Sequence, residues 1–306
     1  MFTRRPLVPL LLLLGLICAP LPAQGQSAPL DKPPTEKALR ATFKKSLKNK
    51  DASVRIEAVL AYSEGTRQLE EEGGAEKLVA KTLAGALDDD DMGVCDAAMT
   101  ALSWGRDVAT VIDACDESLE YLRAIMERTS TRPDDESRAL YRGALDAYQT
   151  TCATLGNYPD DRSVGVLETE LRVLRPGGQL ETVSQTLVRP AVTALLTLGS
   201  EEAVELVIKQ TTVYSASTLG GSSSRERLLS GMARTLHDAL SGFAISIERA
   251  PPTFSQNYQQ DWHDWFKKHR KLFESNLGKL KEPPGPMGMD AMGATNGRGR
   301  NQPRRP

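Results

Sequence analysis

Four groups of side chains in this 306-residue chain have the types and spacing to do chemistry. The first is thiol. Cys95 lies ten residues before Gly105 and Cys115 ten after it, so a helix hairpin turning at Gly105 brings the two level. They come within bridging range if both face inward. Cys115 with Cys152 is the alternative pair, bracketing Thr129 to Asp134 less symmetrically. No histidine is near in sequence to serve as the base a catalytic thiol needs. The second group is Asp88, Asp89, Asp90 and Asp91. A calcium loop of the EF type requires alternating ligands and a distal glutamate, and Gly93 is misplaced for it. The run reads instead as a turn between helices, with Asp91 capping the second. Third come His237, His263 and His269. The last two are six apart, off the i, i+4 spacing that sets two ligands on one helix face, so neither metal nor cofactor is expected. The fourth group is aromatic: Trp262, Trp265, Phe266 and Phe273 share a stripe with His269 and Leu272 on a helix expected from about Ser255 to Leu280. Such a stripe is either a ligand platform or the apolar cover at the end of a helical array, and its area favours the cover. With no phosphate loop, nucleophile elbow or dinucleotide fingerprint, no catalytic residue is assigned.

The elements that must carry these groups are helices. From residue 34 to 282 apolar residues recur at i, i+3, i+4 and i+7, without a convincing strand, which predicts an all-α fold. Connections carry stop and start chemistry, as at Trp104-Gly105, Leu155-Gly156 before Pro159-Asp160-Asp161, and Leu198-Gly199-Ser200. The pattern also repeats. Leu39, Phe43, Leu47, Asp51, Val54, Ala58 and Ala61 map, at an offset of forty, onto Val79, Leu83, Leu87, Asp91, Val94, Ala98 and Ala101. A period near forty is the mark of stacked helix pairs. Later copies of the second helix follow Ser137, Leu140, Ala144 and Ala147, then Ser184, Leu187, Ala191 and Ala194, then Glu226, Leu229, Ala233 and Leu236. Pro190 falls inside the fourth copy, where it removes one backbone hydrogen bond and predicts a kink or a shifted start.

Asp51, Val54, Arg55 and Ala58 form an Asp-x-x-Val-Arg-x-x-Ala pattern that resembles the second helix of a HEAT repeat, the two-helix unit of armadillo-type solenoids. The resemblance spans roughly residues 35 to 245. It implies an α-solenoid of stacked antiparallel helix pairs over 35–248, closed by a C-terminal capping helix within 249–282. It further implies that the Asp holds the inter-helix turn and that the Arg bonds along the stack to a neighbouring acid. Cys95 stands where the second copy would have its Arg, which interrupts any such ladder.

The ends read differently. Arg4 and Arg5, the leucine-rich run from Leu7 to Leu21 and Ala23-Gln24-Gly25 make a cleaved export signal over 1–25, followed by a linker at 26–34. This predicts a periplasmic or secreted protein, with no transmembrane span in the mature chain. Losing Arg4 and Arg5 leaves two fewer than the chain's 38 basic residues against 40 acidic ones, which argues against nucleic acid as ligand. Residues 283–306, rich in Pro, Gly and Arg, are expected to be disordered, with at most weak contact between the basic tail and an anionic envelope surface. The functional expectation is a non-catalytic scaffold or adaptor for a protein partner that the sequence does not identify. The alternative is a ligand-binding protein or enzyme using the concave surface, with Tyr141, Tyr148, Arg142 or the C-terminal Trp/His stripe as contacts.

Overall fold

The computed structural model describes residues 35–71, 75–132, 134–174, 184–214 and 224–273, all within the unit Thr35–Pro306. The expected leader, linker and tail lie outside the described residues, as do residues 274–282 of the expected capping segment. The described residues hold α-helices and no strand, as the periodicity predicts. In chain order these are α1 (Glu36–Ser46), α2 (Ala52–Glu71), α3 (Glu76–Ala84), α4 (Met92–Leu102), α5 (Val108–Ser130), α6 (Asp135–Asn157), α7 (Asp161–Val173), α8 (Ser184–Leu198), α9 (Glu201–Thr211), α10 (Ser224–Ser246) and α11 (Tyr258–His269). A 3₁₀ turn at Arg270–Leu272 follows.

Short polar side chains start these helices by accepting from backbone N–H groups that have no partner in the first turn. Asp51 accepts from Ser53 N at 3.0 Å, Asp91 from Gly93 N at 2.9 Å, Asp160 from Arg162 N at 2.8 Å and Ser200 from Ala203 N at 3.1 Å. The cap of α6 is Asp134, bonded to Ser137 N at 2.7 Å. Ser137, the cap position in the repeat register, is instead buried in the first turn, three residues inside the helix. α8 runs through Pro190 and ends at Gly199, whose φ of +63° is the left-handed conformation that glycine adopts without strain.

Contacts alternate along the chain. α2 packs on α4, α4 on α6, α6 on α8 and α8 on α10, while α3 meets α5, α5 meets α7, α7 meets α9 and α9 meets α11. The five expected second helices are α2, α4, α6, α8 and α10. Their alanines fill the seams: Ala98, Ala101, Ala144, Ala147, Ala191, Ala194 and Ala233 are all buried. Ala61, the first-copy counterpart of Ala101, is exposed. Its helix has α4 on one side, whereas α4, α6 and α8 each have a second-helix neighbour on both sides. Among the described residues no helix is long and apolar enough to cross a membrane.

Candidate functional site

The thiols are not paired as the hairpin spacing suggests. Cys95, Cys115 and Cys152 are buried and free. Cys95 Sγ donates to the carbonyls of Leu87 and Asp89 at 3.1 and 3.3 Å, facing the turn before its own helix. Cys115 Sγ lies 3.7 Å from Met99 Sδ. Met99 is one turn beyond Cys95 on the same face, so the expected pair misses register by about 6 Å of helix rise. The runner-up pair, Cys115 with Cys152, is likewise unbonded. Burial, above all, pushes the Cys95 and Cys152 thiols up to about 12, which suits packing rather than nucleophilic chemistry.

The acidic run is organised by one guanidinium. Arg55 Nε donates to Asp89 Oδ2 at 2.9 Å, and its Nη2 to Asp89 Oδ1 at 2.7 Å and Asp90 Oδ1 at 2.8 Å. Its Nη1 reaches the carbonyls of Asn49 and Lys50 at 2.9 and 3.2 Å. One buried side chain thus ties the turn before α2 to the turn before α4, through the planar fork that favours arginine for bidentate pairing. In the next copy Cys95 bonds the same turn's carbonyls instead.

A second buried network joins α5, α6 and α7. Arg123 pairs with Glu170, which is only 2% exposed, and Tyr148 donates its hydroxyl to the other carboxylate oxygen at 2.8 Å. Burial raises the Tyr148 phenol well above its ordinary range, so this residue, expected as a surface contact, is an interior strut. Tyr141 is half-buried against the core and Arg142 is exposed. Among the described residues no cluster of three His, Cys, Asp or Glu side chains is placed to hold a metal.

The aromatic stripe is interior. Trp262, Trp265, Phe266 and Phe273 are all buried. Trp265 donates to the Ala250 carbonyl at 3.0 Å, and Trp262 donates to His237 Nδ1 on α10 at 3.1 Å. His269 lies 4.9 Å from Trp265, ring to ring, and His263 is exposed. The histidines therefore do not converge. The contact between His237 and Trp262, 25 residues apart, left no trace in either residue's neighbours along the chain.

A groove of about 870 Å³ lies between α8 and α10. Arg189, Thr193 and Thr197 form one wall, and Thr235, Asp238 and Gly242 the other. Phe243 and Ile247 give it apolar surface, and Leu272 and Phe273 close one side. A Cβ added at Gly242 would find nothing within 4 Å. Threonine hydroxyls on the walls return to their own helices, Thr197 to the Thr193 carbonyl at 2.9 Å and Thr235 to the Gly231 carbonyl at 3.0 Å, which leaves oxygen lone pairs facing outward. Opposed charges on an apolar floor can orient a ligand. Sequence reasoning missed this groove.

Comparison with known proteins adds no family. No family model matches the chain, and no curated protein matches it. Among solved structures, the crystal structure of an engineered protein is 17% identical over 67% of this chain and 85% of that one, with a TM-score of 0.32. A likeness at that score carries no argument about fold or function.

Proposed function

We propose that the chain is an exported, non-catalytic interaction protein of HEAT-like architecture whose α8/α10 groove receives a short segment of a partner protein. The solenoid reading is supported by the match between the expected second helices and α2, α4, α6, α8 and α10, by their neighbour-to-neighbour packing, and by Arg55 bonding along the row. On this reading α11 is the capping helix, its four aromatics covering the far end of the array. Export rests on the leader-like sequence of residues 1–25. The groove reading rests on one observation above all: a volume of about 870 Å³ between α8 and α10 on which charged, hydroxyl and apolar side chains converge. Arg189 and Asp238 on facing walls, above Phe243 and Ile247, suit a peptide with one apolar side chain and charges of both signs.

Selection from a displayed peptide library on the folded protein tests this. Selected peptides should bind the parent and lose at least tenfold in affinity on Gly242→Trp, which fills the groove. Gly165→Trp, at an open position on α7, should leave affinity unchanged. Failure to select any peptide, or equal binding to the parent and Gly242→Trp, sinks the reading. A small polar ligand that binds competitively with Gly242→Trp, where no peptide does, would favour the alternative of a ligand site or enzyme on the same surface.

A further inference from the structure

We propose that His237 makes the seating of α11 against α9 and the His237 side of α10 depend on pH, and that the Leu272–Phe273 side of the groove follows; the second half rests on the groove being a binding site.

The geometry is specific about protons. Trp262 is fully buried and its indole N–H points at His237 Nδ1, 3.1 Å away. An indole nitrogen can only donate, so Nδ1 must be bare. The neutral ring then carries its proton on Nε2, facing Ser241 Oγ at 3.3 Å. Phe254 packs on the imidazole with centroids 4.8 Å apart, and the Arg234 guanidinium sits 4.9 Å over the Phe254 ring. A second proton on His237 would set N–H against N–H and add a positive charge near Arg234.

Other groups around the ring do not reverse this. Asp238, next along α10, favours the protonated form and Arg234 opposes it. On α11, Asp261 accepts from the Ser255 hydroxyl at 2.8 Å, and Tyr258 donates to backbone carbonyls and is held neutral by burial. The buried face of α9 offers Ala203, Val204, Val207, Ile208, Gln210 and Thr211, none of them ionisable. Burial, the largest influence, holds the His237 imidazole below its ordinary value of about 6.5. The docked state therefore takes up its proton later than the undocked one. Its stability is complete above about pH 6.5 and declines as pH falls through that value toward the docked-state pKa.

The consequence reaches the groove through a chain of rings. Trp262 meets Trp265 at 5.3 Å, Trp265 meets Phe273 at 6.3 Å, and Phe273 meets Phe243 at 5.9 Å. Phe243 and Phe273 both line the groove.

The test uses the full chain with Trp104→Phe, leaving Trp262 and Trp265 as reporters. Between pH 8 and pH 5 the near-ultraviolet circular dichroism should diminish and tryptophan emission shift to the red, reversibly, with most far-ultraviolet ellipticity retained. His237→Asn keeps an acceptor near Nδ1 but does not titrate, so its signal at pH 5 should match that at pH 8. His263→Asn, at an exposed position, should titrate like the parent. A flat parent, or an unchanged transition in His237→Asn, overturns the proposal. Should His237→Asn not fold, Trp262→Phe read through Trp265 takes its place: without the indole N–H opposing protonation the transition should move to lower pH, and an unmoved transition overturns the proposal equally. A groove peptide should lose at least tenfold in affinity from pH 7.5 to 5.5 on the parent and less than twofold on His237→Asn. Equal losses on both overturn the link to the groove while the groove itself stands. If no peptide is ever selected, the binding-site reading fails and the fluorescence arm still decides the fate of α11.

Discussion

α6 and α10 both carry interior glycines, and the two helices use them in opposite ways. On α6, a Cβ at Gly143 would fall 2.7 Å from Met92 Cβ of α4, and one at Gly156 would fall 3.1 Å from the Ala194 backbone of α8. Glycine there is what lets neighbours approach backbone to side chain. On α10, Gly242 meets nothing, and the space it leaves belongs to the groove. The same α6 region holds the buried Arg123–Glu170–Tyr148 network, whereas the α8/α10 seam ends on exposed threonines. Helical propensity opposes glycine at Gly143 and Gly242, well inside their helices, and less at Gly156, one residue from the end of α6. Packing therefore accounts for Gly143 and Gly156, whereas Gly242, like Gly165 on α7, is an exposed position where packing makes no demand.

That contrast can be broken at its strongest point first. Arg123→Met leaves the Glu170 carboxylate buried without its cation and should lower unfolding free energy by roughly 3–5 kcal/mol, the usual cost of breaking a buried pair from one side. Urea denaturation measures it; a loss below about 1 kcal/mol would mean the α5–α6–α7 block is not held as described. Gly143→Ala comes next. The clashing atom is a Cβ rather than the far end of a flexible chain, so the helices must separate, and a loss of about 1–3 kcal/mol is expected. The smallest effect has the opposite sign. Gly242→Ala should raise stability by about 0.5–1 kcal/mol through helix propensity alone, read as a higher urea midpoint. If Gly242→Ala destabilises, or Gly143→Ala does not, the distinction between a packing glycine and an opening one falls.

Much of the fold was legible because helix pairs repeat their apolar spacing. Asp51 and Asp91 do cap α2 and α4, and the alanines of the later copies are buried as their register implied. The errors have physical causes. The repeat register sets Ser137 at the start of its copy, but Asp134, three residues earlier, is the side chain that caps the helix. Cys95 and Cys115 are equidistant from Gly105 in sequence, yet counting residues says nothing about where a thiol finds an acceptor. Cys95 turned to the carbonyls of Leu87 and Asp89. The groove was invisible because a gap depends on what neighbouring helices fail to fill, and Gly242 has no distinctive sequence neighbours. In sequence His237 is one of three scattered histidines, and its partner Trp262 belongs to a stripe 25 residues on. Only the packing of α11 put them in one contact.

The sequestered thiols have a practical use. With Cys95 and Cys152 held almost wholly protonated at neutral pH, and Cys115 equally shut away, alkylating reagents should attack each sulfur only when its surroundings momentarily open. Cys95 then times the breathing of the junction between α3 and α4, and Cys115 and Cys152 that of the long α5–α6 hairpin. Labelling rates at the three positions would map where along its length the protein loosens first, with no reporter having to be introduced.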